Sequence, residues 1–189
     1  MTDTPQEPAT LAADLSKVPV MVMVECRQAR SGRWTEEQWE AIAVVAGKDV
    51  VSEAFDSTLV HQDDECRRYL WSGLKLSLYK DAGESYWYNL MSETPYLYVI
   101  CNIDDGDDGD ESLIPVLVTA DQQEATGHME IDDRVYSVPM PEQVHQWVEQ
   151  FVLKNYVPEQ KKKRKRQQWA KESDNAEATE QHGPRPVRH

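Results

Sequence analysis

Apolar residues along this chain change period once. From Val18 to Val138 they come in short runs with the two-residue spacing of β-strands, and from Val144 to Val152 they follow helical spacing. VPVMVMVEC (18–26) alternates valines with Met21 and Met23, so both faces are apolar. It predicts a strand buried on two sides or lying inside a tightly curved sheet. WEAIAVVAG (39–47) predicts a second strand closed by Gly47, with a helical turn through AIAVVA as its alternative. In LKLSLYK (74–80) Leu74, Leu76 and Leu78 take one face and Lys75 and Ser77 the other. DAGE (81–84) reads as a turn, and the aromatic-rich SYWYNLM (85–91) as the returning strand. YLYVICNI (96–103) and IPVLVTA (114–120) follow, and GHMEIDDRVYSV (127–138) reads as a small hairpin around Asp132 and Asp133.

The last segment, PEQVHQWVEQFVLKNYVP (141–158), places Val144, Trp147, Val148, Phe151 and Val152 on one stripe, with Gln143, Gln146, Glu149 and Gln150 opposite. Pro141 suits a helix start, Lys154 suits the negative end of the dipole, and Pro158 ends the segment. One amphipathic helix must bury its stripe against the sheet. The expected fold is therefore α+β and mainly β: a curved antiparallel sheet or partly open small barrel of six to eight strands, capped by one C-terminal helix. Residues 1–17 are expected to be a mobile acidic segment, 18–158 a single domain, and 159–189 a basic and then mixed-charge disordered tail.

Charge sharpens that division. The 189 residues carry a formal net charge of -14. From Pro158 onward there are nine Lys/Arg against five Asp/Glu, a balance of +4, which leaves -18 on residues 1–157. The basic hexad Lys161, Lys162, Lys163, Arg164, Lys165 and Arg166 begins three residues after Pro158. It can stay solvated, meet an acidic loop of its own chain loosely, or bind a protein partner. Phosphate backbones rank lower as targets, because the acidic domain lies within about a Debye length, ~8 Å, of the hexad's start.

Candidate chemistry is sparse. Cys26, Cys66 and Cys101 are widely spaced and contain no CxxC pair, which speaks against a disulfide framework or zinc knuckle and suits a reducing cytosol. DDGDDGDE (104–111) fails the EF-hand spacing from any starting residue and reads as a solvated loop between strands. The five histidines form no HxxxH or HExxH, and neither GxSxG, GxxxxGK[ST] nor GxGxxG occurs. The sequence thus predicts no catalytic residues, no cofactor and no metal. The longest apolar run, VPVMVMV (18–24), is far short of the ~20 residues that span a bilayer, and the N-terminal stretch lacks a secretory pattern. A cytoplasmic protein without membrane insertion is expected. Trp34 and Trp39 bracket TEEQ in RWTEEQW (33–39), where Thr35 could cap a short turn. Core anchoring is the plainer reading of this pair, and a partner-binding hot spot the sharper one.

PVMVMVECRQARSGRWTEEQWEAIAV, LWSGLKLSLYKDAGESYWYNL, PVLVTADQQEA and VYSVPMPEQVHQWVEQFVLKNYVPEQKKKRKR together resemble an uncharacterised bacterial family, a domain of unknown function. The resemblance spans roughly residues 18–166, with RWTEEQW, YWYNL and the VPMP entry to the last helix its most specific parts. The acidic stretch 104–111 and the tail after Arg166 depart from the family pattern. Genes of that family typically lie beside those for molybdenum-dependent formate dehydrogenases and their maturation factors. The resemblance therefore implies a non-catalytic accessory protein that binds a formate dehydrogenase subunit or maturation factor during maturation, assembly or targeting. The hexad, Trp34 and Trp39 are the candidate contacts. A nucleic-acid-binding regulator using the tail, or a small molybdenum-cofactor-handling protein, are the alternatives. Some relatives carry a molybdopterin-guanine dinucleotide biosynthesis label, but this chain lacks the glycine-rich nucleotide-binding start such an activity needs.

Overall fold

The valine alternation at 18–24 works out as a strand wrapped tightly enough to bury one face fully and the other partly. In the computed structural model, which describes residues 16–31, 34–46, 54–105 and 111–158 (backbone alone at 30–31, 34–35 and 105), β1 runs Lys17–Ser31. Val20, Val22 and Val24 are completely buried, while Met21 and Met23 on the outer side are half-buried. β2 (Trp34–Ala46) pairs antiparallel with β1 along its whole length, so the helical alternative for AIAVVA falls away. The expected turn capped by Thr35 does not form either. Thr35 stands opposite Arg30 in the ladder, because backbone pairing to β1 satisfies more groups than one local cap.

Eight further strands and helices complete the order: β3 (Ser57–Gln62), β4 (Cys66–Ser77), α1 (Gly83–Leu90), β5 (Tyr96–Asp105), β6 (Glu111–Thr119), α2 (Gln122–Glu130), β7 (Arg134–Pro139) and α3 (Glu142–Asn155). The seven strands form one sheet in the order β2-β1-β4-β6-β5-β7, with β3 paired to β4 beside that path. Every pairing is antiparallel except β4–β6, a parallel contact at the single aligned pair Leu76↔Val118. The ends of the path approach each other, since Tyr136 Oη on β7 donates 3.0 Å to the Trp39 carbonyl on β2. The expected mainly β fold, a curved and nearly closed sheet with a C-terminal helix, is what the chain adopts.

Two expected segments are corrected. SYWYNLM is not a returning strand: Gly83–Leu90 is helical, and it buries Ser85, Tyr86 and Asn89. Strand preference of aromatic residues gives way here to packing. Tyr86 lies 6.2 Å, edge to face, from Phe151 of α3, and Asn89 reaches three backbone groups only from a helix. Its Nδ2 donates to the carbonyls of Tyr96 (2.8 Å) and Ala120 (2.9 Å), and its Oδ1 accepts from the Tyr96 N–H (3.0 Å). Asn89→Ala is expected to cost about 2 kcal/mol, because it strands buried peptide groups. A chemical denaturation midpoint lowered at constant slope is the readout.

The second correction concerns GHMEIDDRVYSV. Its turn is real, with Asp132 at φ 64°, and its second arm is β7, but the first arm belongs to α2. Asp121 caps that helix, its carboxylate accepting 2.8 Å from the Gln123 N–H. α3 follows expectation closely: Val144, Val148 and Val152 are buried, and Trp147 and Phe151 pack partly against the same core. It ends at Asn155, before Pro158, with Tyr156 turned back onto Gly83 and Trp87 of α1. Three helices, rather than one, therefore cover the sheet among the described residues. The acidic stretch begins and ends as paired strand, Asp104 opposite Ser112 and Asp105 opposite Glu111.

Candidate functional site

Strand register assembles a site at the mouth where β1 ends and β2 begins. Cys26 pairs with Trp39 on one side and with Arg67 on the other, so these three residues form one row across β2, β1 and β4. Residues paired directly share a sheet face, and Cys26 continues the inward row of Val20, Val22 and Val24. Trp39 therefore sits at the inner edge of the mouth. Its ring stacks on Tyr69 with centroids 5.8 Å apart, and the Arg67 guanidinium lies 5.8 Å from the Trp39 centroid. Arg67 Nη2 also donates to Glu37 Oε1 at 2.5 Å and makes a weak contact to Cys26 Sγ at 3.5 Å.

Across the seam, β5, β6 and β7 supply the opposite wall. A cleft of about 280 Å³ opens there, lined by Glu37, Trp39, Ile103, Glu111, Arg134 and Tyr136 among others. Tyr136 spans it through its bond to the Trp39 carbonyl, and burial pushes the Tyr136 phenol above its ordinary range, so that it stays a donor at neutral pH. The Trp39 indole N–H is buried and meets no acceptor, and no other buried side-chain nitrogen or oxygen of the described residues is so placed. That unpaired donor is a polar group which the fold itself leaves unsatisfied.

The other sheet face behind this row holds a charged cluster. Glu25 is 3% exposed, yet it stands on the opposite side of β1 from the valine core. Arg68 Nε donates 2.6 Å to its Oε2, Arg27 Nε donates to its Oε1, and the Cys66 thiol donates 3.3 Å to Oε2. Burial raises the Glu25 pKa, but these bonds outweigh it and hold the carboxyl below its ordinary value. The cluster is satisfied internally and braces β1 against β4. Burial pushes all three thiols above their usual value, Cys101 to about 12, so each is protonated at neutral pH.

The remaining candidates separate. Trp34 begins β2 five residues before Trp39, so the two are held about 17 Å apart along an extended strand rather than joined by a turn. Its side chain lies outside the described residues, as do all six residues of the hexad, Lys161–Arg166. Histidines His61 and His128 bond to Asp63 (3.0 Å) and Asp133 (2.7 Å) in local turns. Among the described residues no group of three or more His, Cys, Asp or Glu could hold a metal ion, and no helix is long and apolar enough to cross a membrane.

Residues 19–165 match the family described as a protein of unknown function, DUF3305. The chain belongs to the DUF3305 family. The matched range of the DUF3305 domain takes in the whole mouth around Trp39 and runs through Lys161–Lys165, leaving only Arg166 of the hexad beyond it. No curated protein and no solved structure matches the chain. Sequence reasoning had singled out Trp39; it missed Arg67, Arg134 and Tyr136, which only the register brings to that tryptophan.

Proposed function

We propose that this DUF3305 protein is a non-catalytic accessory module that docks a protein partner over the Trp39 mouth. The partner is a subunit or maturation factor of molybdenum-dependent formate dehydrogenase, as the family resemblance implies. The observation that carries the docking reading is the gathering of Trp39, Tyr136 and Arg134 around one open cleft, with the Arg67 guanidinium 5.8 Å from the Trp39 ring centroid. Tryptophan, tyrosine and arginine dominate binding hot spots, because each offers a large apolar area with a directed polar group. Here the aromatic floor is already rigid through the Tyr69 stack, so little ordering cost remains on binding. The hexad supplies a separate cationic handle, and the inclusion of five of its six residues, Lys161–Lys165, in the family range supports a role beyond solubility.

Copurification with tagged formate dehydrogenase subunits and their maturation factors is the test. The native chain should recover a partner. Arg134→Glu, on an exposed side chain, should recover much less, and replacing all six residues Lys161–Arg166 by glutamine should lower recovery further at physiological salt. Recovery of none of these proteins by the native chain sinks the reading. The hexad also motivates a second reading, a nucleic-acid-binding regulator. A steep fall of DNA or RNA affinity with salt, about 0.7–0.9 log units per log unit of salt for each phosphate neutralised, would favour it.

A further inference from the structure

The geometry points to a second binding site, at the far end of the sheet, for a small organic anion with a flat apolar body. This site does not depend on the docking role of the Trp39 mouth. A pocket of about 290 Å³ lies between α3, the start of β1 and the turn that follows β4. Its size is at the lower end for small-molecule sites, roughly 300–1,000 Å³. Trp147 and Phe151 form its aromatic wall, and Phe151 is fixed edge to face against buried Tyr86. Gln150, Asn155 and Ser16 add hydrogen-bonding groups at the rim. The Asn155 amide nitrogen is already committed to the Phe151 carbonyl at 2.8 Å, which leaves its Oδ1 and the Gln150 amide to choose a ligand's orientation.

Charge decides the ligand class. Two lysines, Lys80 and Lys154, line the pocket, and no carboxylate of the described residues does. Neither lysine takes part in an ion pair among the described residues. Helical geometry keeps acid away on the α3 side, since Glu142 and Glu149 fall about half a turn from Trp147 and Lys154. Asp81 follows Lys80 in sequence but does not line the pocket. In a region of the chain that carries -18 overall, two lysines without ion pairs lining one pocket with an aromatic wall form a local reversal of sign. A carboxylate, sulfonate or phosphate can meet both ammonium groups while its apolar body rests on Trp147 and Phe151.

Matched probes test this on the full chain. 3-Phenylpropionate and its neutral counterpart 3-phenylpropanol would be titrated while the backbone and side-chain amide resonances of Gln150, Phe151 and Asn155 and the Trp147 indole resonance are followed by NMR. The propionate should shift these signals saturably, and the alcohol should need about tenfold higher concentration, the effect expected of two partly exposed charge contacts. Lys80→Gln with Lys154→Gln, on exposed side chains that carry no packing, should abolish the difference between the probes. Absence of saturable shifts, equal response to the two probes, or a double variant that still prefers the anion would each overturn the proposal.

Discussion

Gly73→Ala is expected to destabilise the domain by at least about 3 kcal/mol, lowering its melting temperature by roughly 10 °C. Gly73 lies in β4 where the sheet forks. β3 pairs with β4 from Arg67 to Trp71, whereas β6 meets β4 at Leu76. At the fork Ser72 is tied to the incoming segment, its N–H donating 2.9 Å to the Asp56 carbonyl and its Oγ 3.0 Å to that of Ala54. Gly73 therefore takes φ +80°, and a Cβ there would lie 2.6 Å from the Ala54 carbonyl oxygen and from Phe55 N and Cα. Those are backbone atoms that cannot swing aside, so the positive φ and the clash add. Gly127→Ala is the matched control. Gly127 is in α2, nothing lies within 4 Å of its would-be Cβ, and alanine there should raise stability by about 0.5–1 kcal/mol. Thermal unfolding of both variants should give shifts of opposite sign. A Gly73→Ala protein as stable as the native one would show that the fork is misdescribed.

Arg68→Met is expected to destabilise the domain, since it leaves a solvent-shielded carboxylate with one of its two arginines. The Glu25 side chain is 4% exposed, whereas Arg27, its remaining cation, is 65% exposed and better able to satisfy itself in water. Removing the charge as well, in Glu25→Leu with Arg68→Met, should restore much of the loss, because an apolar pair carries no desolvation cost. The pH dependence has a definite sign. Glu25's folded pKa lies below the ordinary value of 4.5, so its contribution is fully present above that value. It is lost as pH falls through the lower folded value. The native protein should lose stability on acidification below about pH 4.5 more steeply than Glu25→Gln does. Parallel acid-denaturation curves for the two proteins would remove this cluster from the account.

How far the sequence could be read follows from where its signals are local. The buried stripe of α3 announces itself through Val144, Val148 and Val152, and β1 through its valines, since period and burial coincide there. α1 was hidden because Tyr86, Trp87 and Tyr88 favour strands on their own. The helix shows itself instead in the spacing of Ala82, Tyr86, Asn89 and Leu90, all buried or partly buried. α2 left a clearer trace that was passed over: Asp121 followed by Glu124 is a capping pattern, and Asp121 does cap the helix. β3 could not have been read, for all six of its residues are exposed and no alternation marks it. The site shows the same division. Trp39 was legible as an aromatic in a charged stretch, but Arg67, Arg134 and Tyr136 come from strands that only pairing brings together. The hexad was plain in sequence, and it lies outside the described residues.

The central claim, that the Trp39 mouth is a protein-docking surface, is tested most directly by affinity for the purified formate dehydrogenase catalytic subunit and its maturation factors. Two mouth variants that leave the fold intact should be compared with the native chain. Trp39→Phe keeps an aromatic ring beside Tyr69 but reduces the aromatic area that lines the cleft, and Arg134→Glu reverses an exposed rim charge. With melting temperatures close to native, each should weaken binding about tenfold or more, as expected for loss of a hot-spot contact. A partner that binds both variants as tightly as the native protein would contradict the claim.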